Sequence, residues 1–121
     1  MAKDDYDVIL YRLLVYLYAC MKCKIIYKES SFNEAVRKNV DNDQYFYKII
    51  EMAQDEGYVK NANFTKTWGN DKIPLFEMNE IEITASGIRY IKENSRMLKI
   101  ADGLKSTGDT IAKLASIIGV L

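Results

Sequence analysis

The segment 6–22 constrains this chain more than any other. Tyr6, Leu10, Leu13, Leu17 and Cys20 recur at alternating spacings of four and three, which predicts a helix carrying those residues on one face. Ile9, Val15, Tyr16 and Tyr18 make its other faces apolar as well. A helix that is apolar nearly all round has to be covered on several sides, so something besides the adjacent helix must bury it. Asp4 and Asp5 stand just before it, where acidic side chains cap a helix and suit its dipole. Its apolar run, Val8 to Met21, contains Arg12 and is shorter than the ~20 residues that span a bilayer.

A length of 121 residues suits one domain with one sizeable core. Hydrophobic residues make up 49% of the chain, too many for general disorder. Basic and acidic residues balance at 17 each, so the overall excess expected of a nucleic-acid coat is missing. Histidine is absent, which removes the usual general base and the commonest metal ligand. The acidic start, Met1-Ala2-Lys3-Asp4-Asp5, does not read as a signal peptide. A cytoplasmic protein with no membrane span is the expectation.

Further along, Lys24–Lys28 reads as a short strand. Ser30 or Ser31 then caps a short helix over 32–39, with Phe32, Ala35 and Val36 inward. After a turn at 39–42, Asp41 and Gln44 have capping-box spacing ahead of a helix over 42–56. Its buried stripe is Phe46, Ile49, Ile50 and Ala53, and Gly57 ends it. Two extended segments, 58–68 and 73–83, flank the turn Gly69-Asn70-Asp71. Pro74 suits the start of an edge strand. Thr84 caps a last helix through about 93, with Ile88 and Ile91 inward. This order predicts an α+β, mostly helical fold: a winged helix-turn-helix over residues 1–94 with a small antiparallel β-wing. Residues 95–121 add a C-terminal amphipathic helical tail.

At this point the chain resembles a known family. Glu56-Gly57-Tyr58-Val59 and the run Ile83-Thr84-Ala85-Ser86-Gly87-Ile88-Arg89-Tyr90-Ile91-Lys92-Glu93-Asn94 are similar to the YjcQ family, small bacterial and phage winged-helix proteins. The second run matches that family's entry to its post-wing helix, L-T-x-x-G-x-x-Y-L-x-E-N. The resemblance covers residues 41 to about 104, and the first 40 in outline. It implies a winged-helix fold with a helical tail, a non-enzymatic role and a prophage context.

In a DNA-binding winged helix, the helix at 42–56 would enter the major groove. Its outer ridge is predicted as Gln44, Lys48, Glu51 and Asp55. Lys48 alone stands against Asp41, Asp43, Glu51, Asp55 and Glu56 over 41–57, a net of −4 that phosphates repel. Basic residues gather elsewhere. Lys22, Lys24, Lys28, Arg37 and Lys38 outweigh Glu29 and Glu34 over 22–38, and Lys60, Lys66 and Lys72 outweigh Asp71 over 58–72. The candidate nucleic-acid contacts are therefore Lys24, Lys28, Arg37, Lys38, Gln44, Lys48, Lys60, Lys66 and Lys72, set against the ordinary reading of a solvated surface.

Cys20 and Cys23 form a C-x-x-C pair at a helix C-terminus, where the dipole opposes thiolate formation. With no second pair, structural zinc lacks its four ligands. One buried and one near-surface cysteine is the expectation, with no metal and no cofactor. Trp68 either closes the core beneath the wing or offers an anchor to a partner, and packing is the commoner role. Tyr45 and Tyr47 are expected half exposed at the edge of the core.

In the tail, Gly103 and Gly108 predict a break, yet Ile100, Leu104, Thr107, Ile111, Leu114, Ile118 and Leu121 repeat at four and three. That stripe packs on the first helix of its own chain or pairs with a second copy as a dimer seam. Periodicity does not distinguish the two.

Two functions follow from different arguments. The common use of the fold leads to a DNA-associated regulator of bacterial or prophage origin. The acidic third helix leads to a protein–protein interaction or phage-associated structural module without nucleic acid. No phosphate loop, metal set or nucleophile–base spacing supports an enzyme.

Overall fold

The computed structural model describes residues 5–120. Among the described residues six helices run α1 (Tyr6–Met21), α2 (Glu29–Ala35), α3 (Asp43–Asp55), α4 (Ala85–Glu93), α5 (Ser95–Ser106) and α6 (Thr110–Ile117). Four short strands lie between α3 and α4: β1 (Val59–Lys60), β2 (Phe64–Lys66), β3 (Lys72–Pro74) and β4 (Glu82–Ile83). The fold is α+β, mostly helical, with a winged-helix-like order of elements. No helix is long and apolar enough to cross a membrane among the described residues.

The all-apolar first helix explains the architecture. Every residue from Val8 to Ala19 is buried, and α2, α3, α4, α5, α6 and β4 all pack against α1. Each fully buried Leu, Ile or Val there contributes roughly 1.5–3 kcal/mol. Arg12 is buried with them. Its guanidinium donates to both Asp109 carboxylate oxygens at 2.8 and 2.7 Å and to the Ala35 carbonyl at 3.1 Å. One charge in an apolar helix persists because it is paired and hydrogen-bonded.

The strands form one interrupted ribbon. Val59 pairs with Ile83 and Lys60 with Glu82; farther out, Phe64 pairs with Pro74 and Lys66 with Lys72. Between the two ladders one arm spans residues 61–63 and the other 75–81, and the longer arm takes up its excess in a 3₁₀ turn at Met78–Glu80. At the tip, Gly69 and Asn70 adopt φ of +84° and +68°, the left-handed conformation that Gly and Asn tolerate best.

Four details depart from the sequence reading. Residues 24–28 form no strand, since no partner edge reaches them; Ile25 and Tyr27 pack by their side chains, while Ile26 is 83% exposed. The second helix begins at Glu29 behind Lys28, with no side-chain cap; Ser31 instead bonds the Lys28 carbonyl and the Tyr16 hydroxyl. Asn42, not Asp41, caps α3 by accepting the Tyr45 N–H at 3.1 Å. Asp5 sits at the N-cap of α1 without a side-chain hydrogen bond, and Asp4 lies outside the described residues.

The tail is two helices, divided at one of the two glycines where a break is expected. The break comes at Gly108, φ +69°, and Asp109 caps α6 by accepting the Ile111 N–H at 2.9 Å, while Gly103 stays inside α5. Ile100, Ile111 and Ile118 are buried in the common core and Leu104 and Leu114 are half-buried. Leu121 lies outside the described residues. Both tail helices pack on α1 of their own chain.

Candidate functional site

Helix α3 carries two stripes. The first, Phe46, Ile49, Ile50 and Ala53, is buried as its periodicity predicts. The second, Gln44, Tyr47, Glu51 and Gln54, steps by three, four and three, and it faces the hairpin. The Gln44 amide donates to the Lys72 carbonyl at 2.9 Å, and the Lys72 N–H donates back to Gln44 Oε1 at 2.7 Å. Gln54 repeats this on the other arm: its amide donates to the Ala62 carbonyl at 3.2 Å and accepts the Ala62 N–H at 2.7 Å. Tyr47 meets the Phe64 ring at 5.6 Å, and Glu51 accepts from Lys72 Nζ at 2.8 Å. The two glutamines stand in for missing strand partners, satisfying backbone groups that would otherwise be orphaned.

This clamp consumes part of the predicted nucleic-acid contact set. Gln44 and Lys72 are turned into the hairpin–α3 packing, and Lys72 is buried against Glu51. Arg37 donates to Asp43 at 2.6 Å and lies over the Phe46 ring, its guanidinium carbon 4.8 Å from the centroid. Lys60 pairs with Glu82 at 3.4 Å. Lys24, Lys28, Lys38, Lys48 and Lys66 are exposed without an ion pair among the described residues. They sit on separate segments: the loop after α1, the turn after α2, α3 itself and β2. Half of the outer ridge predicted for α3, Gln44 and Glu51, is covered by the wing; Lys48 and Asp55 remain exposed.

The wing's outer face carries exposed apolar side chains. Side chains alternate along the hairpin, so Phe64 and Lys72 face α3 while Ile73 and Leu75 face away. These two are 46% and 64% exposed, and Trp68 at the tip is 100% exposed. The expectation that Trp68 packs in the core is overturned. The Phe64–Phe76 and Tyr47–Phe64 ring contacts already fill the space beneath the hairpin, and the left-handed tip carries the indole past them. Tyr45 and Met52 are exposed on α3, and Tyr47 is half-buried against the hairpin.

Cys20 is half-buried at the end of α1, and burial pushes its thiol above the ordinary value. Cys23 is exposed. No group of three or more Cys, Asp and Glu side chains close enough to hold a metal occurs among the described residues.

The post-wing motif has a structural reason. Thr84 caps α4 by accepting the Gly87 N–H at 3.1 Å, and its hydroxyl donates to the Gly57 carbonyl. Gly87 then sits directly against the Tyr58 backbone, with no room for a Cβ. The family model described as YjcQ protein matches residues 11–110. The chain belongs to the YjcQ family. The match runs from α1 through α5 to the first residue of α6, so in this YjcQ chain it includes both Arg12 and its partner Asp109. No curated protein and no solved structure matches the chain.

Proposed function

We propose that this YjcQ-family chain is a non-enzymatic binding module that docks a protein partner through the outer face of its wing. The observation that carries this reading is the solvent-facing row Ile73 and Leu75 leading to the fully exposed Trp68. A tryptophan held out on a clamped hairpin costs solubility and contributes nothing to the core, which suits an anchor for an interface. The buried polar side chains act as structure: Arg12 with Asp109, and Lys72 with Glu51 and Gln44. The acidic α3, half covered by its own wing, disfavours docking in a major groove.

Titration of labelled random duplex DNA at about 0.05 and about 0.15 M salt tests the reading, because non-specific binding tightens as salt falls. No saturable binding is expected at the lower salt. Tight, salt-sensitive binding would return the chain to the DNA-regulator class. In parallel, a photo-reactive residue at position 68 should capture a discrete protein adduct, and one at exposed Lys99 on α5 should not.

A further inference from the structure

The hydrogen-bond phase of the hairpin leaves one edge open. Leu75 N–H donates to the Asn63 carbonyl at 2.9 Å, and Thr67 N–H to the Asp71 carbonyl at 2.9 Å. Bonded and non-bonded pairs alternate along an antiparallel ladder, so Thr65 and Ile73, which stand opposite each other, are the bonded pair between these two. Phe64–Pro74 and Lys66–Lys72 fall on the other phase, and their backbone groups point out of the ribbon. The glutamines of α3 obey this phase. Gln44 takes the outward N–H and carbonyl of Lys72, and Gln54 takes those of Ala62. The β3 edge is thereby sealed at Lys72, and the opposite edge only as far as Ala62. Beyond Ala62, the outward N–H and carbonyl groups of Phe64 and Lys66 meet no hydrogen-bonding group of the chain among the described residues. Thr65 and Lys66 are exposed.

We propose that the outer edge of β2 takes an extended segment of a partner protein as a third strand, with an acidic residue of that segment beside Lys66. The proposal rests on the reading of the wing as a protein-docking face. Backbone geometry sets the conformation of the occupant. Donors and acceptors spaced two residues apart match another strand, whose own groups alternate with the same period, whereas a helix uses its backbone groups internally. Charge sets its composition. Lys66 has no ion pair among the described residues, while Lys60 and Lys72 are paired with Glu82 and Glu51. An opposite charge directly across two strands is favourable and a like charge is not. A lysine on a short edge also deters a second copy, whose β2 would bring its own Lys66 to the junction. Position agrees. β2 runs into the hairpin tip, so a strand along it reaches the turn that carries Trp68, and its outward side chains extend the face of Ile73 and Leu75.

Selection of short linear peptides from a random displayed library on the full chain, followed by amide exchange with the selected peptides bound, tests this. The peptides should share an acidic residue and slow exchange at the Phe64 and Lys66 amides at least about tenfold, with Leu13 and Leu14 unchanged. Two variants separate backbone from charge. Lys66→Pro deletes an N–H that the ladder does not use, so Thr65 and Ile73 should keep their protection while peptide affinity falls at least about tenfold. Lys66→Glu should weaken the same peptides, and exchanging their acidic residue for lysine should restore binding. Peptides that bind Lys66→Pro as tightly as wild type, that leave Phe64 and Lys66 unprotected, or that fail to emerge from the selection overturn the proposal. If Lys66→Pro loses protection at Thr65, the charge exchange decides, and its failure overturns the proposal equally. A discrete protein adduct at residue 68 beside any of these failures keeps the wing as a docking face and rejects only the added strand. Absence of both the adduct and edge-binding peptides removes the two together.

Discussion

Arg12 and Asp109, 97 residues apart, meet in a two-pronged ion pair that fastens α6 to the middle of α1. Both side chains are nearly out of solvent. Removing one partner of such a pair strands the other charge in the interior, which costs about 3–5 kcal/mol. Asp109→Asn and Arg12→Met should each lower stability by about that much in urea unfolding. The paired replacement Arg12→Met with Asp109→Leu should recover most of the loss, because apolar groups of similar volume fill the same space without desolvating a charge. If the singles cost under about 1 kcal/mol, the pair is not the fastening it looks to be.

The same pair sets an acid limit. Burial alone would raise the Asp109 carboxyl, but Arg12's hydrogen bonds, the Ile111 N–H and the Arg12 charge outweigh it and hold the group below its ordinary value of 3.8. A carboxyl whose folded value lies below its unfolded one contributes stability in full above the unfolded value. That contribution is lost as pH falls through the folded value. Wild type should therefore lose stability as pH falls below about 4, and Asp109→Asn should lose less over the same range. Urea midpoints measured from neutral pH to about pH 2 give the comparison.

Periodicity read the greasy framework well. The stripe Phe46, Ile49, Ile50 and Ala53 is buried as predicted, and the all-apolar first helix is covered on every side because nothing on it tolerates water. Contacts that hydrophobicity does not encode were missed. The stripe Gln44, Tyr47, Glu51 and Gln54 has helical spacing but mixed polarity, so the sequence places only Gln44 and Glu51 on an outer ridge, leaves Tyr47 at the core edge and assigns Gln54 no face. Arg12 was visible as one charge in an apolar helix, a signal that a counter-charge must be buried with it, but spacing gives no route to Asp109. The strand expected at 24–28 has strand-like composition, and strands exist only where a partner edge is free. Of the candidate contacts, Gln44 and Lys72 turn into the packing between elements instead: Gln44 bonds the Lys72 backbone and the Lys72 ammonium bonds Glu51.

Those glutamines make a sharp prediction. Gln44→Ala leaves the Lys72 N–H and carbonyl without their partner, and Gln54→Ala does the same to Ala62. Leaving a buried backbone group unsatisfied costs about 1–3 kcal/mol. The loss should be local. Amide exchange at residues 62 and 72 should accelerate by one to two orders of magnitude, while amides of Leu13 and Leu14 in α1 hold their protection. Equal acceleration in α1 would mean that the hairpin and the helical core unfold as one unit.

Gly87 accounts for the glycine of the family motif. A Cβ there would fall inside contact distance of the Tyr58 carbonyl oxygen and 2.8 Å from Ile83 Cγ1. The Tyr58 oxygen cannot yield easily, since it also accepts the Thr84 N–H at 3.0 Å, the bond that ties the start of α4 to the end of α3. Gly87→Ala should therefore cost about 3 kcal/mol, the upper range of overpacking in a tight interior, although alanine favours helix by up to about 1 kcal/mol. Ser86→Ala, one residue away at an exposed position of the same turn, should change stability by less than about 0.5 kcal/mol. Thermal unfolding of the two variants beside wild type decides it. A neutral or stabilising Gly87→Ala would mean that α4 rides farther from Tyr58 than this geometry has it.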